Sequence, residues 1–193
     1  METIQRPTLV IEPDIMREAN ETQSFNLGVP DTGVKVGRNK YGEIKQWTEL
    51  LQVGTTELGV TDRGFNQDGD SVPERVFIGV KFTVTPETLD PKNVGRTIRQ
   101  RYLINPAELN NRQSKERIMS LMSIGKLNAL LRAAGFDIDP GVATDYNEYF
   151  EPNAAEESRV TGLKVYADFK NYTDKNGVDR QDIVAFDSVD SEG

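Results

Sequence analysis

The sequence predicts a mainly β fold with one principal α-helix, and three observations carry the prediction. Apolar residues alternate at period two from Val76 to Val84, they recur at helical spacing from Ser114 to Ala134, and Asn176-Gly177 separates two further alternating runs near the end of the chain. The 193 residues suffice for one domain that buries its own core without disulfides or structural metal.

Residues 1–33 are polar, carry three prolines and lack sustained periodicity, so they are expected to form an extended or disordered N-terminal arm. The domain proper is expected over 34–187. From Val34 to Val53 the chain reads as strand, broken at Tyr41-Gly42, although TELLQV at its end is equally compatible with a helical turn. Gly54 to Glu74 is rich in Gly, Asp and Asn and reads as a long loop, the first of two expected insertions at 54–75 and 136–158. In the next strand Val76, Ile78, Val80, Phe82 and Val84 face the core, while Phe77, Gly79, Lys81 and Thr83 turn outward. After a turn, Val94, Ile98, Tyr102 and Ile104 alternate with Thr97, Arg99, Arg101 and Leu103, which points both arginines away from the core.

Pro106 interrupts pairing, and a helix follows with Ile118, Leu121, Met122, Leu130, Leu131 and Ala134 at helical spacing, Ser114 as N-cap and Gly135 just past the end. The second insertion is acidic with two prolines and reads as a mobile loop. A two-residue type I′ turn at Asn176-Gly177 sets Lys175 opposite Val178, which places Phe169 opposite Val184 and Ala167 opposite Phe186. Leu163, Val165, Ala167 and Phe169 then face inward, and Lys164, Tyr166, Lys170 and Tyr172 outward. Residues 188–193 are expected to be a short acidic tail.

Strand, strand, strand, helix, strand, strand is the chain order of an OB-fold, a five-stranded barrel. Its ligands lie on the outer face of strands two and three and on the loops after strands one and four. On that plan Phe77, Lys81, Arg96, Arg99 and Arg101 come from the second and third strands, and Lys170, Tyr172 and Lys175 from the last hairpin. Single-stranded nucleic acid asks for this mixture of cations along the phosphates and rings on which bases stack. Each residue also has a plainer role: an outward Phe77 covered by a loop, arginines in surface ion pairs, tyrosines covering the barrel.

Charge agrees with a polyanion partner. The formal net charge is −8, yet Lys92 to Arg132 holds nine basic residues against Glu108 and Glu116, a segment of +7 in a remainder of −15. Cysteine and histidine are absent, which removes thiolate or histidine metal sites and the commonest nucleophile and base constellations. Two calcium-like stretches fail the EF-hand spacing, because Gly64 and Arg75 in one and Tyr172 in the other fall on ligand positions. No cofactor, metal or membrane partner is expected, and no apolar run reaches the length of a membrane span.

The succession FIGVKFTV, VGRTIRQRYLIN, LNALLRAAGFD and GLKVYADFKNYTDKNGVDRQDIVAF resembles a class of bacteriophage proteins from replication and recombination gene clusters, over about Val76 to Phe186. Shared features are a loop ending in Gly-Arg, here Gly95-Arg96, and a helix reaching an Ala-Gly end before a Gly-x-x-Val strand, here Gly162 to Val165. The resemblance implies an OB-like, non-enzymatic single-stranded DNA-binding protein that supports replication or recombination with little sequence selectivity. It implies replication or recombination proteins as further partners, and the host cytoplasm as location if the chain is phage-encoded. A homo-oligomer is compatible with the sequence. The alternative is a phage structural or protein-interaction module: a virion component, an adaptor or a DNA-mimicking inhibitor.

Overall fold

The alternating run around Ile78 is a strand in the computed structural model of the chain, and it pairs with a longer strand that the sequence concealed. The structure describes residues 6–22, 34–66, 68–88 and 90–189. In chain order the elements are β1 (Val10–Ile11), α1 (Pro13–Thr22), β2 (Lys35–Asn39), β3 (Gly42–Thr61), β4 (Gly64–Phe65), β5 (Ser71–Val72), β6 (Arg75–Val84), β7 (Thr97–Ile104), α2 (Lys115–Ala133), β8 (Thr144–Asp145), α3 (Asn147–Phe150), β9 (Lys164–Thr173) and β10 (Asp179–Ser188).

The main sheet is antiparallel in the order β10-β9-β3-β6-β7, with β2 added to the start of β3. β3 organises it. Its residues Lys45–Gln52 pair with β9 and Leu51–Thr61 pair with β6, the second pairing carrying a register shift between Val53 and Thr56. The long loop expected from Gly54 is therefore strand as far as Thr61, with Thr56 and Leu58 buried on the core side. The two glycines disguised it: Gly54 lies in the bulge, and Gly59 leaves room for the Phe77 ring.

The sheet curls. Rings of Phe82 on β6 and Phe186 on β10 lie 5.7 Å apart although β9 and β3 separate their strands in the sheet. Among the described residues β7 and β10 do not pair, so the expected closed barrel is not formed; α2 instead packs against both edge strands. Core side chains such as Phe82, Leu51, Ile78 and Phe169 are essentially inaccessible, each contributing about 1.5–3 kcal/mol by burial.

α2 begins and ends where its sequence says. The Ser114 side chain accepts the Glu116 N–H at 3.2 Å. Past the other end Gly135 adopts φ 96°, while Phe136 N–H donates to Leu131 O and Gly135 N–H to Arg132 O, each at 3.0 Å, a Schellman cap. Ile118 and Met122, assigned to the apolar face, are exposed, because α2 meets the sheet on one side and α1 on the other and this stripe lies between them.

Two further expectations are corrected. Within the N-terminal arm, α1 buries Ile15, Met16 and Ala19 against α2. Ten residues are too few to hold a helix alone, so tertiary packing decides what periodicity left undecided. Residues 1–5 and 23–33 lie outside the described part. The acidic 136–158 segment is likewise folded: β8 pairs with β1, and Ile138, Tyr146 and Phe150 are buried.

The last hairpin differs by one residue at its turn. Asp174, not Lys175, pairs with Val178, and its carboxylate accepts the N–H groups of Asn176 at 2.8 Å and Val178 at 3.0 Å, with Gly177 at φ 77°. The loop thus has three residues, and Phe169 faces Ile183 rather than Val184. A bulge between Ile183 and Ala185 then restores the expected pairing of Ala167 with Phe186. Of the expected acidic tail, Ser188 ends β10, and 190–193 lie outside the described residues.

Candidate nucleic-acid interface

Pairing of β6 with β7 brings three cations onto the outer face of the sheet. Lys81 is opposite Arg99 and Gly79 opposite Arg101, while Val80, Phe82, Ile98 and Tyr102 occupy the core side. The three side chains line a groove of about 260 Å³ with Thr55, Thr56, Glu57 and Gly79. Glu57 is the single carboxylate of that lining, and among the described residues none of the three cations has a carboxylate within 4.0 Å.

Phe77 is on this face but is no platform for a base. It is 5% exposed, with the Arg101 guanidinium 4.2 Å from its ring centre and Gly59 against its far edge. The alternation placed it correctly; what covers it was not legible from spacing. Phe77 offers the Arg101 guanidinium an aromatic face, an attraction of about 0.5–1 kcal/mol at an accessible site.

The remaining sequence-predicted residues lie elsewhere. Arg96 donates to the Gln181 side chain and stands near Glu49 at the opposite end of β7 from Leu103. Glu49 is itself unusual: it is fully buried on the core face, accepts Trp47 Nε1–H at 3.0 Å and the Asn93 side chain, and leaves Oε2 without a partner. Burial pushes its carboxyl above the ordinary range against the pull of those donors and of Arg96. Lys170 and Tyr172 share the outer face of β9, the ammonium 5.3 Å from the ring centre. The Tyr172 hydroxyl donates to Asp182 at 2.8 Å, and that bond raises its pKa. Lys175 is exposed in the hairpin loop. Because Lys170 pairs with Gln46, about eight residues along β3 from the bulge beside Lys81, this group is on the order of 25 Å from the groove.

The basic segment is also dispersed by folding. Arg117 forms a two-pronged ion pair with Glu18 that fastens α1 to α2, Arg132 donates to Asn20, and Glu116 is taken by Arg75. Arg117 holds the Glu18 carboxyl below the usual range, and Arg75 does the same for Glu116.

Two aromatic positions escaped the sequence reading. Phe65, at 79% exposure, stands on the β4–β5 hairpin that springs from the Phe77 end of β6, and Tyr41 stands at the β2–β3 turn with the Lys40 ammonium 4.9 Å from its ring centre. The available signal was a large apolar residue inside a run of turn formers, RGFNQDG. Among the described residues no group of three carboxylates is placed to hold a metal ion, and no helix is long and apolar enough to cross a membrane. No family model, curated protein or solved structure matches this chain.

Proposed function

We propose that the chain is a non-enzymatic single-stranded DNA-binding protein whose primary contact is the groove of Lys81, Arg99 and Arg101. The observation that carries this reading is the convergence, on one sheet face of a protein of net charge −8, of three cations that have no ion-pair partner among the described residues. Structural arginines in this fold, Arg75 and Arg117, are paired with carboxylates; among the described residues the groove arginines are not. Two connections add support. β3 pairs with both β6 and β9, and α2 lies between β7 and β9 in the chain, as in an OB-like strand plan left open at one seam. Phe65 offers a ring on which a base stacks, for ~1–3 kcal/mol, beside phosphate contacts that carry no sequence information. The resemblance to phage replication and recombination proteins agrees with a role in coating or delivering single strands in a cell's cytoplasm.

Fluorescence anisotropy with a labelled oligo-dT of ~16 nucleotides tests the reading. The three phosphate contacts of the groove contribute about −2 to the log-log salt slope, at about −0.7 per contact, and any contact elsewhere on the chain adds to it. Phe65→Ala weakens binding without changing that slope. Absence of binding at low salt, or binding indifferent to salt, overturns the proposal.

A further inference from the structure

β2 and the first residues of β3 form a two-stranded ribbon, Lys35 opposite Gln46 through Asn39 opposite Gly42. All five residues of β2 are exposed, and so are Lys40, Tyr41, Glu43, Lys45 and Gln46. A two-stranded ribbon is marginal on its own in water, so one that stands clear of the core calls for a reason in function. Its tip is built rather than frayed: the Asn39 side chain accepts the N–H groups of Tyr41 at 2.8 Å and Gly42 at 3.1 Å.

The chemistry of the ribbon differs from that of the surface around it. Residues 35–46 hold Lys35, Arg38, Lys40 and Lys45 against Glu43, which makes +3 in a protein of −8. Lys45 and Glu43 neutralise one another at 3.3 Å; Arg38 is exposed on β2, and the Lys40 ammonium lies 4.9 Å from the centre of a Tyr41 ring that is 43% exposed. Cations beside an accessible ring repeat the chemistry of the groove. β3 joins the two directly: from Gly54, packed on the Lys81 backbone, to Tyr41 it runs about 13 residues, on the order of 40 Å.

We infer that the β2–β3 ribbon is a second contact for the same single strand, so that the binding site is bipartite and a ligand must extend past the groove to reach its full affinity. The inference rests on the proposed function. It commits to a single strand rather than a duplex because Tyr41 can stack only on an unpaired base.

The test compares oligo-dT of ~4 and ~16 nucleotides, near the lower and upper site sizes of single OB-type modules. The variants are Arg38→Gln/Lys40→Gln and Tyr41→Ala, exposed changes that leave the core untouched. With the long oligomer the double variant loses on the order of twenty-fold in affinity at ~0.1 M salt and its salt slope becomes shallower by about 1.4; Tyr41→Ala weakens binding at unchanged slope. Neither change alters binding of the short oligomer. Equal losses at both lengths, no loss at the long one, or a duplex that competes as well as the single strand would each overturn the inference. If the unaltered protein binds neither oligomer at low salt, the functional reading itself fails.

Discussion

Gly59→Ala is a one-carbon change whose sign depends on a single aromatic ring. A Cβ built on Gly59 would lie 2.6 Å from two atoms of the Phe77 ring, and Gly59 does not occupy the left-handed region, so backbone conformation alone does not require glycine. Elsewhere in a strand the alanine would add roughly 0.5–1 kcal/mol of stability through the unfolded chain. Here Phe77 must move, and it is wedged between β3 and the Arg101 guanidinium. Overpacking of this kind costs typically ~1–3 kcal/mol. The net is a loss of about 1–2 kcal/mol, or roughly 2–8 °C in Tm for a chain of this size. In a Phe77→Leu background the obstructing atoms are gone, and the same Gly59→Ala change is neutral or stabilising. Thermal and urea unfolding of the four proteins gives the cycle. A gain from Gly59→Ala in the unaltered protein, or the same effect in both backgrounds, refutes the reasoning.

Gly177→Ala puts a side chain on a residue at φ 77° and costs roughly 1–2 kcal/mol, with faster amide exchange confined to the ends of β9 and β10; an unchanged unfolding midpoint contradicts this. Acid sensitivity follows from the Glu18–Arg117 pair. The folded carboxyl of Glu18 is held below its ordinary 4.5, so the stabilisation is present above that value and is lost as pH falls through the folded pKa. Tm measured from pH 6 to 3 therefore falls less steeply for Glu18→Gln than for the unaltered protein, and parallel curves would show that the pair does not fasten α1.

Where local periodicity and burial agreed, the sequence was informative. β6, β7 and α2 were legible because β6 keeps its apolar face from Val76 to Val84, β7 carries Ile98, Tyr102 and Ile104 on one parity and α2 sustains apolar residues over more than two turns, and the outward setting of Lys81, Arg99 and Arg101 followed from parity alone. β3 beyond Val53 was not legible, since the bulge at Gly54 shifts the phase and Gly59 interrupts it. α1 hides its apolar residues in one short helix and depends on α2 for stability. The turn at Asn176-Gly177 was placed correctly, but Asp174 captures two N–H groups and lengthens the loop, a side-chain effect that the dipeptide does not encode. Separation of Lys170 and Tyr172 from Lys81 is set by which half of β3 each neighbour joins, information that resides in strand pairing rather than in spacing.

The most direct test of the groove compares two variants with the same change in net charge, both drawn from the basic segment of the sequence. Arg99→Gln/Arg101→Gln removes two cations from the outer face of β7, whereas Arg112→Gln/Lys115→Gln removes two exposed cations at the start of α2. Measured by anisotropy with a ~16-nucleotide oligo-dT across a salt series, the groove variant loses on the order of twenty-fold at ~0.1 M salt and its slope becomes shallower by about 1.4, while the helix variant stays close to the unaltered protein. Equal losses from both variants would mean that overall charge, and not this face, attracts the strand, and would contradict the account.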